Sequence, residues 1–298
     1  PDYEIKSRYS FTVTATDAVG NISDATTVTF FITDVDDINP ILTEVTAIPT
    51  PSNNQTPSFV FTTDEAGTIS TSIGQGFSTS STATTGSNQT VTFNTLPAGN
   101  YSGETITVTD SAGNASSLTI PTFTIDTTAP ILTQVTPIST PSNDVTPSFV
   151  FTTNKQGAIS TSISQGFSTN NTASTGSDQT VTFNTLPAGT YSGETITVTD
   201  SAGNASSLTI PTFTIDTTAP ILTQVTPIST PSNDVTPSFV FTTNKQGAIS
   251  TSISQGFSTN NTASTGSDQT VTFNTLPAGI YSGKTITVTD TAGNASSL

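Results

Sequence analysis

Between positions 130 and 219 apolar and hydroxyl-bearing residues alternate in short bursts. Ser148–Thr153 reads SFVFTT, 180–186 reads TVTFNTL and Thr195–Thr199 reads TITVT. A period of two places Phe149 and Phe151, Val181 and Phe183, and Ile196 and Val198 on one face of their strands, with Thr and Ser on the other. Weaker versions of the pattern predict strands over 131–135 and 158–163. A last strand is predicted over 207–215, where Pro211 restricts it to an edge or a bulge. The segments TPISTPSNDVTP and NKQG are turn signals, and 166–178 is polar and loop-like with room for one short edge strand. No stretch has helical periodicity. Short alternating strands with turns every few residues predict an antiparallel β-sandwich.

The same pattern recurs with a period of 90 residues: Pro40-Ile-Leu-Thr returns at Pro130 and at Pro220. The units 40–129 and 130–219 are identical at 75 of 90 positions, and 130–208 differs from 220–298 only at Thr190/Ile280, Glu194/Lys284 and Ser201/Thr291. Identity that extends through loops and solvent faces marks recent duplication. The unit is longer than a solenoid repeat and large enough for a core of its own. The expected organisation is a distinct segment at 1–39, then repeats at 40–129, 130–219 and 220–298, the last stopping before its final strand. Beginning and ending mid-pattern, the sequence reads as a window on a longer protein.

Composition then narrows the chemistry. The 298 residues include no His, Cys, Met or Trp, and only five cations: Lys6, Arg8, Lys155, Lys245 and Lys284. Against them stand 21 acidic residues, for a net charge of −16. Without imidazole or thiol, most nucleophile–base pairs and the usual zinc, haem and iron–sulfur ligand sets are excluded, so no enzyme is expected. So few cations exclude a phosphate-binding face, hence no nucleic acid partner. No apolar run is long enough to insert in a membrane. What remains is oxygen, the ligand type that Ca²⁺ prefers.

The segment Leu186-Pro-Ala-Gly-Thr-Tyr191 resembles the tyrosine corner of immunoglobulin-like domains. Together with T-V-T-D-x-A-G-N and F-T-I-D-T-T-A-P, it makes residues 40–298 resemble the bacterial immunoglobulin-like repeats of large surface adhesins. That resemblance implies an all-β fold: tandem immunoglobulin-like antiparallel β-sandwiches in an elongated array. The first forty residues instead resemble the C-terminal half of a cadherin-like repeat, with Asp2 and Glu4 in its first acidic element and Asp17 in its second. Asp34, Asp36 and Asp37 fall on its linker before Pro40. The sequence departs from the pattern at Asp36 and Ile38, where Asn is usual. The resemblance implies Ca²⁺ bound between successive domains.

Elementary electrostatics points the same way, since three carboxylates within four residues repel unless solvated or bridged by a cation. Glu4 with Asp34, Asp36 and Asp37 is the leading candidate set. The incoming repeat offers Asp64, Glu65, Asp110 and Asn114 at that first junction. In an immunoglobulin sandwich the last hairpin loop faces the preceding domain. The second junction would therefore gather Glu104, Asp126, Asp200 and Asn204, and the third Glu194, Asp216, Asp290 and Asn294. Asp64 and Glu65 become Asn154 and Lys155, so weaker calcium binding is expected after the first junction. The bland reading of D-S-A-G-N is a hairpin turn in which Asp accepts backbone bonds and Gly takes positive φ.

These observations lead to an extracellular stalk on a bacterial cell surface, rigidified by interdomain Ca²⁺ and projecting a binding tip for adhesion. Its partners would be neighbouring repeats of the same chain. The alternative is a subunit of a self-assembled filament, in which other copies donate a strand to the incomplete third repeat.

Overall fold

The computed structural model describes residues 6–298 and is all β, with every strand pair antiparallel. Two compact units divide at Thr127/Thr128.

The second unit holds the repeats at 130–219 and 220–298. In the former, one sheet orders Leu132–Thr136, Ser148–Thr153 and Gln179–Thr182 side by side. The facing sheet runs Thr172–Ala173, Gly157–Thr161, Thr195–Thr199 and Ala205–Thr209. A third, two-stranded ribbon pairs Gly189–Tyr191 with Phe213–Ile215. The alternation seen in the sequence becomes the inside–outside alternation of the sandwich: Phe149, Phe151, Val181, Phe183, Ile196 and Val198 are fully buried. Burial of each large side chain contributes about 1.5–3 kcal/mol against chain entropy.

The predicted last strand divides in two. Ala205–Thr209 stays in the four-stranded sheet, whereas Phe213–Ile215 crosses to the ribbon. Pro211 sits between them, and a residue without an N–H cannot continue a ladder. The predicted corner is present as well. The Tyr191 hydroxyl donates to the Pro187 carbonyl at 2.9 Å, and its ring stacks on Phe213 with centroids 4.9 Å apart.

In the repeat at 220–298 the same two sheets recur, but positions equivalent to Phe213–Ile215 fall beyond Leu298. Tyr281 keeps its bond to Pro277 yet is 38% exposed, with no aromatic ring stacked on it among the described residues.

The first unit holds the repeat at 40–129, with the same sheets, core and corner, including Tyr101 stacked on Phe123. Ahead of it, Arg8–Val13 pairs with Thr26–Phe31 in a hairpin. Its Phe11, Phe30 and Phe31 are exposed, as befits two strands with no second sheet over them.

Each repeat closes around its own cluster of buried side chains. Truncating Phe151 to Ala should therefore lower the stability of one repeat by ~3–5 kcal/mol. Scanning calorimetry of the whole chain should show one transition moving well below the others. Transitions that all shift together would contradict separate cores.

Candidate metal centre

Two parts of the site recur in all three repeats, and a third is seen at the linkers 36–38 and 216–218. First, a buried threonine closes the second strand: Thr63, Thr153 and Thr243. Its hydroxyl donates to the carbonyl two residues on and accepts that residue's N–H, at 2.9–3.3 Å in all three copies. The residue held this way is Glu65, Lys155 or Lys245.

Second, the D-x-A-G-N loop folds around its own aspartate. Asp110 Oδ1 accepts N–H bonds from Gly113 and Asn114, and Oδ2 accepts the Asn114 amide at 2.8 Å. Asp200 and Asp290 likewise accept from Asn204 and Asn294. Gly113, Gly203 and Gly293 take φ of +100°, +91° and +95°, the left-handed turn that glycine permits. The hairpin-turn reading of this motif is thus realised, and the same loop also faces the preceding linker.

Third, the linker aspartate turns back on itself. Asp36 Oδ1 accepts the Ile38 N–H and Asp216 Oδ1 accepts the Thr218 N–H. The loop asparagine then grips the linker backbone, Asn114 Nδ2 donating to Asp36 O at 3.0 Å and Asn294 Nδ2 to Asp216 O at 2.7 Å.

What these three parts bring together differs between copies. In the first unit, Asp36, Glu65 and Asp110 present carboxylate oxygens that all lie within 4.8 Å of one another, the one such group of three among the described residues. Glu65 Oε2 is sealed from solvent and has no hydrogen-bond partner. Burial raises the pKa of Glu65, and the charges of Asp36, Asp64 and Asp110 raise it further. Burial also pushes Asp110 up, but the Asn114 amide and the loop N–H groups outweigh it and hold the carboxyl below its ordinary value. Oxygens converging from three segments on one point suit a hard cation, which takes six to eight oxygen ligands at ~2.3–2.6 Å.

In the second unit, a lysine occupies the equivalent point between the repeats. Lys245 Nζ donates to Asp216 Oδ2 at 2.6 Å, to Asp290 Oδ2 at 2.9 Å and to the Thr218 carbonyl. The Asp290 side chain is only 4% exposed, so its charge depends on these partners. Lys155 is set in the same way, donating to Asp200 Oδ2 at 2.9 Å and to the Thr128 carbonyl. At the seam of the last two repeats, the carboxylates that the sequence nominated for calcium are thus bridged by an ammonium. A backbone bond from Asn143 N–H to the Ala292 carbonyl, 2.8 Å, closes this seam, with Gly293 against the Asn143 side chain.

The other nominated residues are placed elsewhere. Glu4 lies outside the described residues. Asp34 and Asp37 are exposed and stand outside the three-carboxylate group. Asp64 Oδ1 caps the Ile41 N–H at 2.7 Å, a structural task that Asn154 and Asn244 perform equally well. Glu104 and Glu194 accept the hydroxyls of Ser72 and Ser162. The Asp126 backbone N–H donates to the Ser52 carbonyl just as that of Asp216 does to Ser142, so this bond does not set Asp126 apart from the seam aspartates. Sequence reasoning weighed Glu65 with Asp64 but did not assign it, and it missed the lysines as bridging groups. The signal was the substitution of Lys for Glu at one register of the repeat.

Lys245 holds Asp216 below its ordinary pKa, with help from the Thr218 N–H. Burial pushes Asp290 up, yet Lys245 and Asn294 prevail and lower it as well. A lowered carboxylate stabilises the fold fully above its ordinary value of 3.8 and loses that contribution as pH falls through the lower folded value. The thermal stability of the third repeat should accordingly fall as the pH is taken down from about 3.8 through the lower folded value. The loss should be shallower in Lys245→Met, which starts from lower stability. Parallel acid profiles for the two chains would contradict the bridge.

Residues 50–127 match the bacterial Ig-like domain family. No curated protein matches the chain.

Proposed function

We propose that this chain is part of a bacterial cell-surface adhesin, a spacer of tandem immunoglobulin-like sandwiches that holds a binding tip away from the cell. Ca²⁺ at the seam before the first repeat and Lys245 at the seam before the third keep adjoining beads from swivelling. The family match at 50–127 and the near-identity of the repeats support an extracellular repeat array. Among the described residues no helix is long and apolar enough to cross a membrane.

The observation that carries the reading is the seam at Asp216–Pro220. A flexible tether would leave its backbone and charges to water, whereas here the linker carbonyls of Asp216 and Thr218 and the Asp216 carboxylate are all taken up by the following repeat. Ordering a linker in this way costs ~1–2 kcal/mol per residue, and a clamp of charge-assisted bonds offsets it. At the first seam, Asn114 makes the matching grip on Asp36, and three carboxylates stand where the lysine would. Ca²⁺ there would draw on Asp36, Glu65 and Asp110, supplying positive charge between beads that otherwise repel.

Stiffness at the lysine seam can be read directly. The chain has no native cysteine, so spin labels on Ser164→Cys and Ser254→Cys report one distance only. Pulsed electron resonance should give a narrow distance distribution that broadens in Lys245→Ala. A broad distribution in the chain with Lys245 intact would contradict a spacer role.

A further inference from the structure

We propose that the residue at register 65/155/245 of the repeat selects the counter-ion of its seam: glutamate makes a seam that requires a divalent cation, and lysine makes one that carries its own. This rests on the reading of the first seam as a calcium site and specifies which seams respond to calcium.

The argument begins with equivalence of position. Glu65 and Lys245 follow the same buried threonine, fixed by the same two bonds to its hydroxyl. Asp110 and Asp290 open the same loop, and Asp36 and Asp216 make the same turn two residues before the same register of the linker. The loop asparagines hold both linkers by the same carbonyl. At the centre the side chain is glutamate in one copy and lysine in the other; around it Asp64 becomes Asn244, and Asp37-Ile38-Asn39 of the linker becomes Thr217-Thr218-Ala219.

At the third repeat that centre contains a cation: the Lys245 nitrogen, held by Asp216 Oδ2, Asp290 Oδ2 and the Thr218 carbonyl. The point is therefore a cation seat by direct observation in one copy. In the first copy the same seat receives a third carboxylate, whose Oε2 is shut away from water without any donor. An oxygen so placed forfeits its hydration and gains nothing in exchange.

Charge decides which ion completes it. Two aspartates and one lysine leave one net negative charge at the third repeat. Two aspartates and one glutamate leave three. A divalent cation returns the first seat to the balance that the lysine already gives the third, while a monovalent ion leaves it short. The donors are three carboxylates, Asp36, Glu65 and Asp110, a hard-oxygen set suited to Ca²⁺. No histidine or cysteine exists to favour a softer metal. Exchange of one residue thus changes the seam from metal-independent to metal-requiring, with the fold of both loops unaltered.

The test is calorimetric titration of the full 298-residue chain with CaCl₂ to about 10 mM, since extracellular sites of this kind bind with Kd of ~10⁻⁴–10⁻³ M. E65K should take up one equivalent fewer than the unaltered chain, and K245E one more. In chelator, E65K should melt higher than the unaltered chain. K245E should melt lower in chelator and recover on adding calcium. If E65K and the unaltered chain bind calcium equally, the first seam is not a metal site, and the proposal falls with that reading. If E65K loses its equivalent but K245E gains none, or K245E stays unfolded in calcium, the metal site stands and the selector is overturned.

Discussion

Carboxylates that a fold presses together away from water must acquire positive charge, and this requirement organises the joints between beads. In the repeats at 40–129 and 220–298 the D-x-A-G-N loop lies against the linker that precedes it, and an aspartate from the loop meets one from the linker. Asp290 is too enclosed for water to screen it. At the joint before the third repeat the Lys245 ammonium supplies the opposite charge.

The rest of the repeat exists to hold that meeting point still. Phe149 and Phe151 of the three-stranded sheet, packed with Ile159, Ile196 and Val198 of the facing sheet, hold together the strands whose ends carry the threonine turn and the loop. The tyrosine corner and its stacked phenylalanine tie the ribbon strand Phe213–Ile215 that leads into the next linker.

Much of this was legible in the residues. Alternation in SFVFTT and TITVT gave the strands because period-two patterning maps directly onto the two faces of a sheet. Leu186-Pro-Ala-Gly-Thr-Tyr191 announced the corner because one hydroxyl must reach one backbone carbonyl nearby. Pro211 was legible as an interruption, though not as a change of sheet, which depends on where the partner strand Gly189–Tyr191 lies. The seams were read less well. Asp64 and Asp34 were as attractive as Asp36 on paper, and only three-dimensional placement sends Asp64 to the Ile41 N–H instead. Glu104 and Glu194 were nominated from the expected ends of strands, but a serine beside each offered a closer partner. Lys155 and Lys245 were seen only as diluting the acidic charge, since sequence does not show that a side chain will stand between two carboxylates.

A crystal structure of the chain grown in millimolar calcium tests the central claim most directly. The account predicts an ion among Asp36, Glu65 and Asp110, with carboxylate oxygens at ~2.3–2.6 Å, and none beside Lys245. Carboxylates splayed apart around water in that crystal, with no ion between them, would contradict it.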